Sequence, residues 1–187
     1  MKLRESLQFG RLDQLMDILK GKKVFLRPIT YDDTQKIVEW RNNPRVRNNF
    51  IYREVFTKSG HEQWMKSKVE TGDVIQLIIC ENEGARPVGS VYLRDIDRAK
   101  KEAEYGIFIG EDDAIGKGYG NEAASLMCAY ARDEVLINRL ILRVFKDNEA
   151  ARKSYEHAGF RFLQDLDNVE CSDGEIKDML LMENKLR

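Results

Sequence analysis

The sequence predicts a single α/β domain, one mixed sheet with helices on its faces. Its 187 residues match the length of one domain. With 42% hydrophobic residues it can bury a core without disulfides or metal. Strand-like and helix-like stretches alternate in the order β-α-α-β-β-β-α-β-α-β-β, the pattern of a sheet covered by helices.

Residues 1–22 hold apolar positions at helical spacing (Leu12, Leu15, Met16, Leu19) and end in Lys20-Gly21-Lys22-Lys23, a helix stop, so they read as an N-terminal helical arm. The domain proper is expected over 23–187. Val24-Phe25-Leu26-Arg27-Pro28 is a short strand closed by proline. Thr30 and Asp33 form a capping box for a helix through Ile37 and Trp40 that stops before Pro44. After an irregular arginine-rich loop, Ser59-Gly60-His61-Glu62 reads as a second capping box, opening a helix through Trp64, Met65 and Val69. The period then changes. Val74–Cys80 and Val88–Leu93 flank the turn Glu83-Gly84-Ala85-Arg86-Pro87 as a hairpin, and Ala103–Gly110 is a third strand. A glycine-rich turn leads to a helix with Ala123, Leu126, Met127 and Tyr130 on one face. Leu140–Phe145 is a strand, Asn148 starts a helix and Gly159 ends it. Phe160–Leu163 and Ile176–Met182 pair around Ser172-Asp173-Gly174.

Several function classes are disfavoured at once. Charges balance, 31 Lys+Arg against 32 Asp+Glu for a net charge of -1, so no global field steers the protein to nucleic acid or anionic lipid. No apolar run approaches the ~20 residues of a membrane span, and Met1-Lys2-Leu3-Arg4-Glu5 opens no signal-peptide core. Three scattered cysteines (Cys80, Cys128, Cys171) and two distant histidines (His61, His157) make neither a disulfide framework nor a metal centre. The expectation is a reduced, cytoplasmic protein with no metal and no nucleic-acid or membrane partner.

Ile115-Gly116-Lys117-Gly118-Tyr119-Gly120 lies between a strand and a helix. Glycines let a ligand approach the main chain, and the free N–H groups of a helix start seat phosphate. By itself the triplet also reads as a plain tight turn. Two nucleotide templates fail on it. A Walker A loop needs Ser or Thr after its Lys, and Gly118 follows Lys117. A dinucleotide-binding loop joins a first strand to a first helix and needs an acid about 20 residues on, where Leu140 stands.

Residues 103–160 resemble motifs A and B of the GNAT acetyltransferase superfamily. In motif A, Arg/Gln-x-x-Gly-x-Gly/Ala, Gly118 and Gly120 hold the two small positions and Ile115 replaces the Arg or Gln. In motif B, Asn148, Ala151, Tyr155, Gly159 and Phe160 match Asn-x-x-Ala-x-x-x-Tyr-x-x-x-Gly-Phe. Two motifs in the right order and spacing are far more specific than either alone. The full-length pattern is similar to the ribosomal-protein N-terminal and spermidine acetyltransferase branch, and Trp40-Arg41-Asn42 resembles a segment of enzymes that acetylate nucleotide-linked amino sugars.

The resemblance implies a mostly antiparallel sheet with a splayed central strand pair, acetyl-CoA as co-substrate, and direct transfer of acetyl to a primary amine in a ternary complex. The coenzyme would be held by Gly116, Lys117, Gly118, Tyr119, Gly120 and Asn121, with the helix opening at Asn121. Backbone N–H groups of Phe108, Ile109 and Gly110 would form the oxyanion site, and Asn148, Ala151 and Arg152 would add contacts. Asn148 is equally an N-cap. Tyr155 would be the general acid or, on spacing alone, a packing residue beside Ala151 and Ala158. Glu104 would be the general base or a surface strand charge. Trp40, Arg41 and Arg45 would bind the acceptor; four arginines in the thirteen positions 41–53 can grip an anion or simply pair with nearby acids. His61 and Cys128 read as structural. The acceptor implied is a nucleotide-linked amino sugar or a protein N-terminus, with a polyamine as the alternative. A homodimer, or a CoA-binding module without catalysis, also fits the resemblance.

Overall fold

The computed structural model describes residues 19–187. Of the arm expected over residues 1–22, residues 1–18 lie outside the described residues. Leu19 is buried, and the chain turns at Gly21, whose N–H donates to the Val24 carbonyl at 2.8 Å, directly into the first strand.

Strand β1 is Val24–Pro28, as its apolar run and closing proline predict. The Asp33 carboxylate accepts from the Thr30 N–H at 2.9 Å and pairs with Arg27 at 2.6 Å, so the capping residue also ties the following helix back to β1. That helix, α1, is Thr34–Asn42. The arginine-rich loop contains a further helical turn, α2 (Pro44–Arg47), because Asn43 caps the Arg45 N–H and Pro44 is preset for a first helical position. Helix α3 (Lys58–Trp64) is capped two residues earlier than expected: Thr57, in place of Ser59, is the cap, accepting from the Gly60 N–H at 3.1 Å. It runs on through a π turn at Met65–Val69.

Strands β2 (Ile75–Glu81), β3 (Pro87–Asp97) and β4 (Glu102–Ile109) form an antiparallel meander, with β3 five residues longer than its apolar core suggests. Helix α4 is Tyr119–Asp133, opening at Tyr119 instead of Asn121 because Gly118, at φ +81°, makes the left-handed step just before it. Strand β5 is Arg139–Phe145, and α5 is Glu149–His157, capped by Asn148. The last hairpin, β6 (Arg161–Glu170) and β7 (Ile176–Lys185), extends well beyond its apolar centres.

The seven strands lie in the order β1-β2-β3-β4-β5-β7-β6, and every pairing is antiparallel except β4 with β5. This parallel pair holds only at Glu102↔Arg139, Ala103↔Leu140 and Glu104↔Ile141. From Tyr105 on, β4 has no partner on that side, and the two strands part. Alternate residues of the sheet face opposite layers. One face (Leu77, Ile79, Val91, Leu93, Tyr105) packs under Ala123, Ala124, Met127 and Ala131 of α4. The other (Ile78, Cys80) packs under Ile37 and Trp40 of α1 and Met65. Helices therefore cover both faces, with the parted strands between them.

Candidate active site

The parted strands open beside the glycine turn. Gly116 and Gly118 take φ of +77° and +81°, a left-handed shape in which a side chain is strained, and a Cβ at Gly116 would meet nothing within 4 Å. The turn thus exposes its backbone at the N-terminus of a fifteen-residue helix. It is anchored from three sides. The Glu122 carboxylate accepts from the N–H groups of Lys22, Lys23 and Val24, each at 2.8 Å. Burial pushes this carboxyl up, but the three N–H bonds outweigh it and hold its pKa below the usual range. Lys23 Nζ donates to the Lys117 carbonyl at 2.8 Å, and the Tyr119 hydroxyl to Glu81 at 3.0 Å.

Strand alternation decides which β4 groups face the gap. The Gly110 N–H is spent on the Val88 carbonyl at 2.8 Å, so Gly110 has no free donor for an oxyanion. In an antiparallel ladder, the register Ser90↔Phe108 and Gly89↔Ile109 then points the Phe108 N–H at β3 and leaves those of Ile107 and Ile109 on the open side. Of the three strand residues expected at the oxyanion site, Ile109 is the one so aimed. Ile107 was missed, and strand periodicity counted from Gly110 is the signal that would have found it.

Tyr155 stands at the mouth of the gap. Its ring meets Tyr105, the first residue of β4 with no partner on the β5 side, edge-on at 6.2 Å, and Phe160 at 6.0 Å. Burial drives its phenol pKa up, so the proton stays in place through neutral pH. The Tyr105 hydroxyl beneath it is buried without a partner. Asn148 uses both ends of its amide, capping the Ala151 N–H at 3.1 Å and donating to Asn49 Oδ1 at 2.8 Å. Asn121 accepts from Ser154 Oγ at 2.5 Å, which locks α4 to α5. Arg152 turns back to the Lys146 carbonyl at 3.2 Å, and Ala151 packs on the core.

Glu104 is the last paired residue before the strands part. Its carboxylate is clamped by Arg94 at 2.5 Å and Arg143 at 3.1 Å. On the same face of the sheet, Tyr92 lies across Gly106 so closely that a Cβ there would sit 2.2 Å from its ring. A glycine inside a strand marks such a close approach, and Gly106 is its trace in the sequence.

A cavity of about 400 Å³ opens between this face and helices α1 and α3. Its walls include Arg41, Phe50, Phe56, His61, Tyr92 and Phe108. Of the three residues expected at the acceptor, only Arg41 lines it. The Trp40 ring packs against Gly110 and its indole N–H donates to Glu111 at 2.9 Å. Arg45 clamps the end of β4, donating to the carbonyls of Ile109 (3.1 Å) and Gly110 (2.9 Å) and pairing with Asp112 (2.6 Å). The cavity wall at residues 48–56 is fastened to the β6–β7 turn, because Arg53 pairs with Asp173 at 2.9 Å and with Glu175. His61 is buried with its Nδ1 3.1 Å from Thr34 Oγ1, and burial lowers its pKa, so it stays neutral. Cys128 is a buried packing residue.

A seven-stranded sheet parted between β4 and β5, with a glycine turn at the head of the next helix, is a GNAT architecture. A family model described as "Acetyltransferase (GNAT) domain" matches residues 23–161. The chain belongs to the GNAT acetyltransferase family. It is 29% identical over 143 residues to an uncharacterized protein of Methanocaldococcus jannaschii, covering 76% of this chain but only 29% of that protein. It is 29% identical over 144 residues to alpha/beta-tubulin-N-acetyltransferase 9 of Drosophila melanogaster, covering 70% of this chain and 72% of that one. Its fold matches the crystal structure of spermidine N-acetyltransferase from Vibrio cholerae in complex with CoA and spermine, with a TM-score of 0.81 and 19% identity over 89% of this chain and 97% of that one. Among the described residues no helix is long and apolar enough to cross a membrane.

Proposed function

We propose that this GNAT acetyltransferase moves an acetyl group from acetyl-CoA to a primary amine held in the 400 Å³ cavity, by direct attack in a ternary complex. The observation that carries the reading is the parting of β4 from β5 past Glu104↔Ile141, beside a glycine turn whose backbone is open to a ligand. An extended pantetheine arm has the dimensions of a missing strand, and the turn at the head of α4 offers N–H groups and the positive end of a helix dipole to a diphosphate. The thioester then lies in the gap, where the Ile107 and Ile109 N–H groups face the carbonyl oxygen that gains charge. Tyr155 keeps its proton and gives it to the departing thiolate as the C–S bond breaks, and the proton shed by the attacking nitrogen as the C–N bond forms returns through water to the phenolate.

Glu104 would have to release two arginines before taking a proton, so its part is to hold Arg94 at the cavity wall. The amine arrives from the opposite layer, past Tyr92 and Phe108. The acceptor is read as a protein N-terminus or a nucleotide-linked amino sugar ahead of a polyamine, since Glu54 is the one acid on the cavity lining, among two arginines. The test is mass-spectrometric detection of acetylation with purified protein, acetyl-CoA and a panel holding a peptide, an amino sugar and spermidine. Transfer to a member of the panel supports the reading. Failure to bind acetyl-CoA would overturn it and leave a GNAT shell that works through a partner protein.

A further inference from the structure

Arg41 is in an unusual position for a guanidinium. It is 6% exposed and, among the described residues, pairs with no carboxylate. Its Cζ lies 3.4 Å from the Phe50 ring centroid and 4.6 Å from that of Phe56, so the charged plane is sandwiched between two aromatic faces. One edge is committed, Nη2 donating to the Tyr52 carbonyl at 3.2 Å, while Nε is buried with no partner. Burial brings its pKa down to about 10, which still leaves it charged at neutral pH. A buried cation without a counter-ion is costly to keep, and the same cavity lining holds two further buried atoms with no hydrogen-bond partner, His61 Nε2 and Arg94 Nε. Arg94, on the facing wall, already has Glu104. The lone acid of the lining, Glu54, is exposed and acts on Arg41 only through space, with no ion pair between them.

We propose that Arg41 is the receptor for an oxyanion carried by the acceptor itself, so that the enzyme's substrates are amines bearing a carboxylate or a phosphate. The inference rests on the transferase reading above and names the substrate class of the same cavity. The guanidinium, planar and fixed by its two rings, keeps its free edge pre-oriented for such a group at little entropic cost. An anion docked there supplies the missing counter-ion and fixes the distance to the amine, which then points past Tyr92 to the parted strands. A polyamine does the opposite, bringing further positive charge against Arg41 and Arg94. On this proposal the likeness to spermidine enzymes, in sequence as well as in fold, does not carry their acceptor with it.

The experiment compares matched amines that differ only in the anion: β-alanine against its amide, phosphoethanolamine against ethanolamine, and a peptide with an acidic second residue against its amide counterpart, with spermidine alongside. The three pairs separate carboxylate, phosphate and peptide as the source of the charge. In at least one pair the anionic member should be acetylated with a kcat/KM at least tenfold above its neutral partner. Arg41→Gln should bring that ratio close to one and Arg41→Lys should leave it in between, with thermal melts showing that both variants fold. Acetyl-CoA binding with no pair favouring its anionic member, or with spermidine ahead of all of them, would overturn the inference and leave the transferase reading standing. A ratio that Arg41→Gln does not change would also overturn it. No acetyl-CoA binding at all would instead sink the transferase reading.

Discussion

The two layers that meet at the parted strands are built on different principles. On the side proposed for the coenzyme, β4, the glycine turn, α4 and α5 present backbone: a strand edge unpaired toward β5, N–H groups at a helix start, and two glycines in left-handed conformations. On the side proposed for the acceptor, α1, α3 and the loop between them present side chains: an arginine over two phenylalanine rings and a neutral histidine. A backbone site recognises the same group whatever surrounds it and needs small residues at fixed places, so it writes a motif. A side-chain site is free to change with its ligand and writes none.

The largest expected effect lies where the layers touch. Tyr155→Phe removes the proposed proton donor and should lower kcat by about 10²-fold or more. Calorimetry should find acetyl-CoA affinity within twofold of the parent. An unchanged kcat would move the donor elsewhere and dissolve the link between the layers.

Glu104→Gln comes next. As an anchor for Arg94 and Arg143, its loss should raise the acceptor KM and lower kcat less than about tenfold, keeping the shape of the pH profile. A general base would behave differently, losing about 10²-fold together with the acidic limb of the profile.

The third effect is on stability. Glu122 holds three backbone N–H groups, and Glu122→Gln should cost about 1–2 kcal/mol at neutral pH, seen as a lower Tm. The folded-state pKa is depressed, so this stabilisation is present above the unfolded value of about 4.3 and is lost as pH falls through the lower folded value. The Tm gap between parent and variant should therefore close in acid. A gap independent of pH would mean the charge of Glu122 is irrelevant to the anchor.

The smallest effect concerns the cavity wall. Arg53→Ala frees the loop from Asp173 and Glu175 and should raise the acceptor KM a fewfold, with coenzyme affinity unchanged. A matching loss of coenzyme affinity would show that the two layers are not separable.

The same contrast explains what could be read from the chain. β1, the meander, the glycine turn, the Asn148 cap and the Gly159 stop follow from local patterns, and each is where its residues place it. Ends were less legible. β3, β6 and β7 run past their apolar cores because hydrogen bonding to a neighbour continues where side chains are already exposed. The start of α3 shifted because Thr57, Ser59 and the residues around them offer competing caps, and only tertiary packing selects between them. The acceptor side was hardest. Trp40, Arg41 and Arg45 lie within six positions of one another, yet helix and cap geometry send one against Gly110, one into the cavity and one to the end of β4. Phe50 and Phe56 carry no motif, and they matter only because Arg41 falls between them.

The central claim, that the turn and the parted strands seat the coenzyme, is tested most directly by calorimetric titration of acetyl-CoA into the parent protein and into Gly118→Val. A valine at φ +81° is strained and would distort the turn. The account predicts binding by the parent and at least a tenfold weaker affinity in the variant. Equal affinities in two folded proteins, or no binding by the parent, would contradict it.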